Sequence, residues 1–185
     1  VLFRSKDGIP ALDAPLFVPV SEADLWLGTS EPVILVEVNG QARAYPLQIL
    51  MWHEIVNDTL NGEPLTVTFC PLCNTAIAFK RTVNGQILDF GTTGRLRFSN
   101  LIMYDRQTES WWQQATGEAI VGAMAGVRLT PVEAHLVAWR IARQYYPEAM
   151  VLSRETGYRR PYGHNPYRRY DDEKAGPFAN FFSKT

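Results

Sequence analysis

The sequence predicts an α+β fold, a mostly antiparallel β domain of hairpins arranged as a barrel- or sandwich-like sheet with two or three short helices. Three observations predict it. Asn-Gly dipeptides stand at Asn39-Gly40, Asn61-Gly62 and Asn84-Gly85, spaced by 22 and 23 residues. Asn-Gly suits a two-residue hairpin turn because both positions accept φ > 0. The runs beside these turns are β-branched or aromatic and often alternate, as half-buried antiparallel strands do. Finally, 185 residues that are 46% hydrophobic and 20% charged make one folded domain with a real core. We therefore expect a single globular domain over residues 1–185, with an irregular Tyr/Arg/Gly/Pro-rich segment from about residue 156.

The elements follow in order. Val33-Ile34-Leu35-Val36-Glu37-Val38 leads into the first turn, and Ala42-Arg43-Ala44-Tyr45 leaves it. After Pro46, Leu47, Leu50, Met51 and Ile55 recur at helical intervals, predicting a short helix from Leu47 to Asp58. Thr66-Val67-Thr68-Phe69 follows the second turn; Ala76-Ile77-Ala78-Phe79 and Ile87-Leu88-Asp89-Phe90 flank the third. Gly91-Thr92-Thr93-Gly94-Arg95 lacks the Lys-Ser/Thr ending of a phosphate loop and reads as a flexible connection. A helix is expected over Pro131–Tyr146, capped by Thr130, with Pro131 at its first position and Pro147 as its stop. Met150-Val151-Leu152-Ser153 resembles another strand, and Tyr158, Tyr162, Tyr167 and Tyr170 should pin the irregular tail. The turn spacing hides no true repeat.

A net charge of −1 and a pI near 6.3 give no global field for nucleic acid or anionic membranes. The arginines gather late, at Arg154, Arg159, Arg160, Arg168 and Arg169. No apolar run approaches the roughly 18 residues of a membrane span. The chain begins at Val1 rather than Met, which reads as a processed or trimmed product.

The chemistry concentrates in Thr68-Phe69-Cys70-Pro71-Leu72-Cys73-Asn74, which holds both cysteines of the chain. A strand, a Cys-x-x-Cys turn and a second strand form a metal-binding knuckle, which aims two sulfurs at one point. A redox dithiol is the rival; the thioredoxin arrangement places its first Cys at a helix N-terminus, whereas the residues after Cys73 alternate like a strand. A plain structural disulfide is the third possibility. Ligand counting favours Cu(I), which two or three soft ligands satisfy. His53 is the best third ligand and Met103 a reserve thioether. Zinc, which takes four ligands, is the alternative metal, because two Cys and three His (His53, His135, His164) make the count possible.

Other polar clusters carry less. His53-Glu54-Ile55-Val56-Asn57 begins like a zinc-protease signature, but its fifth position is Asn, so the second ligand is missing. Glu54 and Asp58 then read as helix-surface carboxylates, either of which could orient the imidazole. Asp105-Arg106-Gln107-Thr108-Glu109-Ser110-Trp111-Trp112 could line a sugar or peptide pocket through Arg106, Trp111 and Trp112. The plainer reading is a turn feeding a strand whose indoles fill core and rim.

Several of these blocks, in this order, resemble a family known as domain of unknown function 3179. The similarity runs from Asp7-Gly8-Ile9-Pro10-Ala11-Leu12 through Tyr45-Pro46, Trp52-His53-Glu54-Ile55-Val56-Asn57-Asp58 and Phe69-Cys70-Pro71-Leu72-Cys73. It continues through Asn100-Leu101-Ile102-Met103-Tyr104-Asp105-Arg106-Gln107-Thr108-Glu109-Ser110 to Gly157-Tyr158 and Tyr162-Gly163. The family pattern has Gly after the second Cys; Asn74 stands there, and Asn also tolerates the left-handed conformation. The resemblance implies a bacterial or archaeal, commonly exported or membrane-tethered protein, and transfers no activity.

The expectation is an extracytoplasmic domain that carries, senses or sequesters Cu(I) through Cys70, Cys73 and His53, exchanging the ion with a donor or acceptor protein. The alternatives are a thiol–disulfide oxidoreductase attacking through Cys70 with Cys73 resolving, and a sugar- or peptide-binding module with structural cysteines.

Overall fold

All three Asn-Gly dipeptides turn hairpins, with φ of 50°, 49° and 50° at Asn39, Asn61 and Asn84 and 82°, 80° and 78° at the glycines. They join β2 (Pro32–Val38) to β3 (Gln41–Pro46), β4 (Ile55–Leu60) to β5 (Glu63–Cys70), and the short β7 (Thr82–Val83) to β8 (Gln86–Ile87). The structure, a computed structural model, describes residues 5–167. Three larger sheets result. The first orders β1 (Phe17–Pro19), β15 (Met150–Leu152), β3, β2 and β14 (Ala134–Ala138); only β15–β3 is parallel. The second orders β13 (Pro131–Val132), β6 (Thr75–Lys80), β5 and β4. The third orders β12 (Glu118–Val121), β11 (Trp111–Gln113), β10 (Asn100–Asp105) and β9 (Phe90–Arg97). With the helices α1 (Val20–Ala23), α2 (Leu47–His53) and α3 (Trp139–Tyr145), this is the expected α+β, mostly antiparallel architecture.

The strand alternation places the layers. Ala23, Trp139 and Ala142 of α1 and α3 pack on Val33, Leu35 and Ala44 of the first sheet. Its opposite face, with Ile34, Val36 and Tyr45, meets α2 and the residues Val56, Leu65, Val67 and Phe69 of the second sheet. The remaining face of that second sheet, with Ile55, Cys70 and Phe79, packs on Leu101, Met103 and Trp112 of the third. The second sheet is therefore buried on both sides, and Thr66, Thr68 and Cys70 of β5 all look toward the third sheet. Polar bolts cross the layers: Tyr45 and Arg43 donate to Asp58, and Asn57 Nδ2 donates to Phe90 O at 2.8 Å.

Three expectations need correction. The helix expected over Pro131–Tyr146 is strand up to Ala138, because Ala134 to Ala138 pair in register with Val36 to Pro32; only Trp139–Tyr145 is helical. The helix from Leu47 stops at His53, where Glu54 turns left-handed (φ 60°) and Ile55 opens β4. Glu54 and Asp58 are consequently buried rather than helix-surface carboxylates. Gly91 to Arg95 belong to β9, not to a flexible connection. The tail beyond Thr156 is irregular as expected through Tyr167; Arg168, Arg169 and Tyr170 lie outside the described residues.

Candidate functional site: a paired-thiol turn

Cys70 ends β5 and pairs with Thr75 at the start of β6, so Pro71-Leu72-Cys73-Asn74 is a four-residue hairpin loop. Asn74 takes the left-handed position with φ 49°, the conformation expected of the residue standing in for Gly. Pairing drives Cys70 inward: it is 1% exposed, within the apolar cluster of Leu101, Met103 and Trp112. Cys73, on the free side of the loop, is exposed. Both are free thiols.

The two sulfurs have opposite electrostatics. Burial first, then the hydrogen bond and charge of neighbouring Cys73, push the Cys70 thiol up to about 12. Partial burial disfavours a Cys73 thiolate, but four hydrogen bonds together outweigh it and lower its pKa. The Thr75 hydroxyl donates at 3.1 Å and Asn100 Nδ2 at 3.2 Å, and the Cys70 thiol and the Thr75 backbone N–H supply the other two. Hydrogen bonds to the charged form favour it. No helix dipole is involved, since β6 follows, as the alternation after Cys73 implied.

A buried amide network aims the Asn100 donor. Asn100 Nδ2 also donates to Gln114 Oε1 at 2.6 Å, while its Oδ1 accepts from Gln113 Nε2 at 2.7 Å and Ala115 N at 2.9 Å. Gln114 Nε2 in turn reaches Thr68 Oγ1 and Thr75 O, both at 3.1 Å. The second and third sheets thus meet through a side-chain lattice behind the sulfur. Across from it, the β9–β10 turn brings Ser99 O to 3.9 Å from Cys70 Sγ.

The other predicted ligands lie elsewhere. His53 is fully buried; its Nδ1–H donates to Pro10 O at 2.8 Å, so Nε2 accepts from the Tyr162 hydroxyl at 2.6 Å. Both ring nitrogens are engaged, and the structure does not bring this imidazole to the sulfurs. Among the described residues no three His, Cys, Asp or Glu side chains form a metal-ligating group. Met103 is a fully buried core residue opposite Trp112. His135 sits on β14 beside Glu133, and His164 is exposed in the tail. Trp112 fills the core, donating to Asp105 at 2.8 Å, and Arg106 is held by Asp13 at 2.7 Å, so of the proposed sugar- or peptide-binding trio only Trp111 faces an open cavity.

Sequence reasoning missed Asn100, Gln113, Gln114 and Thr75. Thr75 was within sight, two residues past Cys73; Asn100 approaches from 27 residues away, and no local pattern announces it.

Fold and site together define a β-rich domain that displays one exposed thiol beside a buried second one. The chain belongs to the family described as protein of unknown function DUF3179, whose model matches residues 6–182. Neither a curated protein nor a solved structure matches it.

Proposed function

We propose that the chain is a thiol–disulfide oxidoreductase in which Cys73 is the attacking thiolate and Cys70 the resolving thiol. The observation that carries this reading is the asymmetry of the pair: an exposed sulfur with lowered pKa beside a buried one held protonated. Reactivity follows thiolate character and access, and Cys73 has both. The roles are therefore the reverse of those expected from the sequence, because pairing with Thr75 buries Cys70.

Cys73 S⁻ attacks a substrate disulfide R–S–S–R′, forming Cys73–S–S–R and releasing R′S⁻. Bonding to R removes the charge and the thiolate acceptor of Cys73, two of the contributions that hold the Cys70 proton. Cys70 then gives that proton to the departing thiolate and attacks Cys73 Sγ. The Cys70–Cys73 disulfide forms and RS⁻ leaves, so the protein pair loses two electrons and the substrate gains them. An external dithiol reductant resets the pair. An extracytoplasmic setting, implied by the family resemblance, suits such exchange.

Cu(I) binding is a second reading, supported by two soft donors on one four-residue turn. It stands on Cys70 and Cys73 alone. Zinc has no third or fourth ligand among the described residues.

The test is trapping by a small disulfide under anaerobic conditions, with Cu(I) titration alongside. Cys70→Ser should accumulate a stable mixed disulfide at Cys73, and Cys73→Ser should react about a hundredfold more slowly. A mixed disulfide formed preferentially at Cys70 would overturn the assignment. Stoichiometric Cu(I) uptake with no disulfide turnover would favour the second reading.

A further inference from the structure

Along the third sheet from the thiol turn lies a cavity of about 490 Å³, lined by Lys6, Thr93, Arg95, Tyr104 and Trp111. Register links the two. Asn100, whose amide touches Cys73, is paired with Arg97; Ile102 is paired with Arg95, and Tyr104 with Trp111. Measured along β10, Arg95 stands about 7 Å from the Asn100 pair and Trp111 about 13 Å, with a register shift against β9 between Ile102 and Met103. A chain of three or four residues spans that distance.

The cavity is built from aromatic walls and cations. The Arg95 guanidinium lies 5.5 Å from the Trp111 ring centroid, and the Lys6 ammonium 4.0 Å from that of Tyr104. Lys6 is neutralised by Glu109, and Asp7 accepts from the Tyr104 hydroxyl. Arg95 and Arg97 are exposed, and neither has a carboxylate partner among the described residues. Gly91 keeps the Tyr104 wall in place: a Cβ there would lie 2.6 Å from Tyr104 Cε1 and 2.5 Å from Asp7 Oδ1.

We infer that this cavity binds the carboxylated arm of the small disulfide that Cys73 attacks. The ligand class is an anionic, low-molecular-weight disulfide: Arg95 supplies a bidentate donor for its carboxylate and Trp111 a flat surface for its body. The inference rests on the oxidoreductase reading, and the experiment separates the two.

In a Cys70→Ser background, the rate of Cys73 reaction is measured with dithiobis-nitrobenzoate, which carries carboxylates, and with uncharged dithiodipyridine. Arg95→Gln should slow the anionic probe roughly tenfold, leave the neutral one unchanged, and lose its effect as salt rises. Trp111→Leu should weaken the anionic reaction in the same selective way. Equal slowing of both probes, or no change in either, overturns the site. If Cys73 reacts with neither probe in the parent protein, the oxidoreductase reading has failed, and quenching of tryptophan fluorescence by nitrobenzoate alone decides the cavity. Quenching that Arg95→Gln abolishes supports the carboxylate site; its absence overturns it.

Discussion

The lowered pKa of Cys73 rests on donors that can be removed one at a time. Asn100 is the informative one, because it touches both the sulfur and the buried amides. Asn100→Ala should raise the pH at which Cys73 ionises, read from thiolate absorbance, and slow its alkylation near neutrality. It also strands Ala115 N and Gln114 Oε1 and leaves Gln113 Nε2 with Arg97 O alone, so a loss of about 1–3 kcal/mol in denaturant unfolding is expected. An unchanged titration would mean that Thr75 and Cys70 suffice. The Cys-x-x-Cys pair itself was plain in the sequence, but which sulfur is exposed depended on the pairing of Cys70 with Thr75. The surroundings of the imidazole were hidden for a related reason: His53 satisfies both nitrogens through Pro10 and Tyr162, partners 43 and 109 residues distant.

Hairpins were the most legible elements, since each Asn-Gly carries its own turn chemistry. The β9–β10 turn was not legible, because Phe98 and Ser99 occupy left-handed φ of 50° and 60° without glycine or asparagine. Such a conformation costs a non-glycine residue about 1–2 kcal/mol. Phe98 is also 87% exposed, so little burial offsets that cost. Phe98→Asn should therefore stabilise the protein by about 1 kcal/mol, seen as a raised thermal midpoint. A lowered midpoint would show that the ring contributes packing, for instance with Arg97, whose guanidinium lies 5.1 Å from its centroid. The segment Ala134–Ala138 was misread as helix because Thr130-Pro131 mimics a helix start, while the decisive pairing with β2 is long-range.

On the scale of the whole molecule, His53 joins three distant pieces of chain. Pro10 and Tyr162 hold its ring, and Thr156 donates to the Tyr162 oxygen at 2.5 Å. Burial lowers the His53 pKa from 6.5 to about 4. The unfolded chain therefore binds the proton more readily than the folded one. Its contribution to stability is complete above about pH 6.5 and declines as pH falls toward 4. The full shift corresponds to on the order of 3 kcal/mol. Urea midpoints should fall between pH 7 and pH 4.5, and His53→Gln should flatten that fall; an equally steep decline in the variant would assign the acid sensitivity to other groups. The layered α+β architecture was readable from alternation and turns, but the meeting of the second and third sheets behind Cys73 was not, because Asn100 and Gln114 converge only in the folded chain.

The decisive measurement on the thiol pair is site-resolved alkylation across pH, with each cysteine followed by peptide mass spectrometry in the reduced native protein. Cys73 should be modified first, with a midpoint below that of an ordinary thiol, while Cys70 stays protected until the protein unfolds. Modification of Cys70 at a comparable rate, or a Cys73 midpoint at or above the ordinary thiol range, would contradict it.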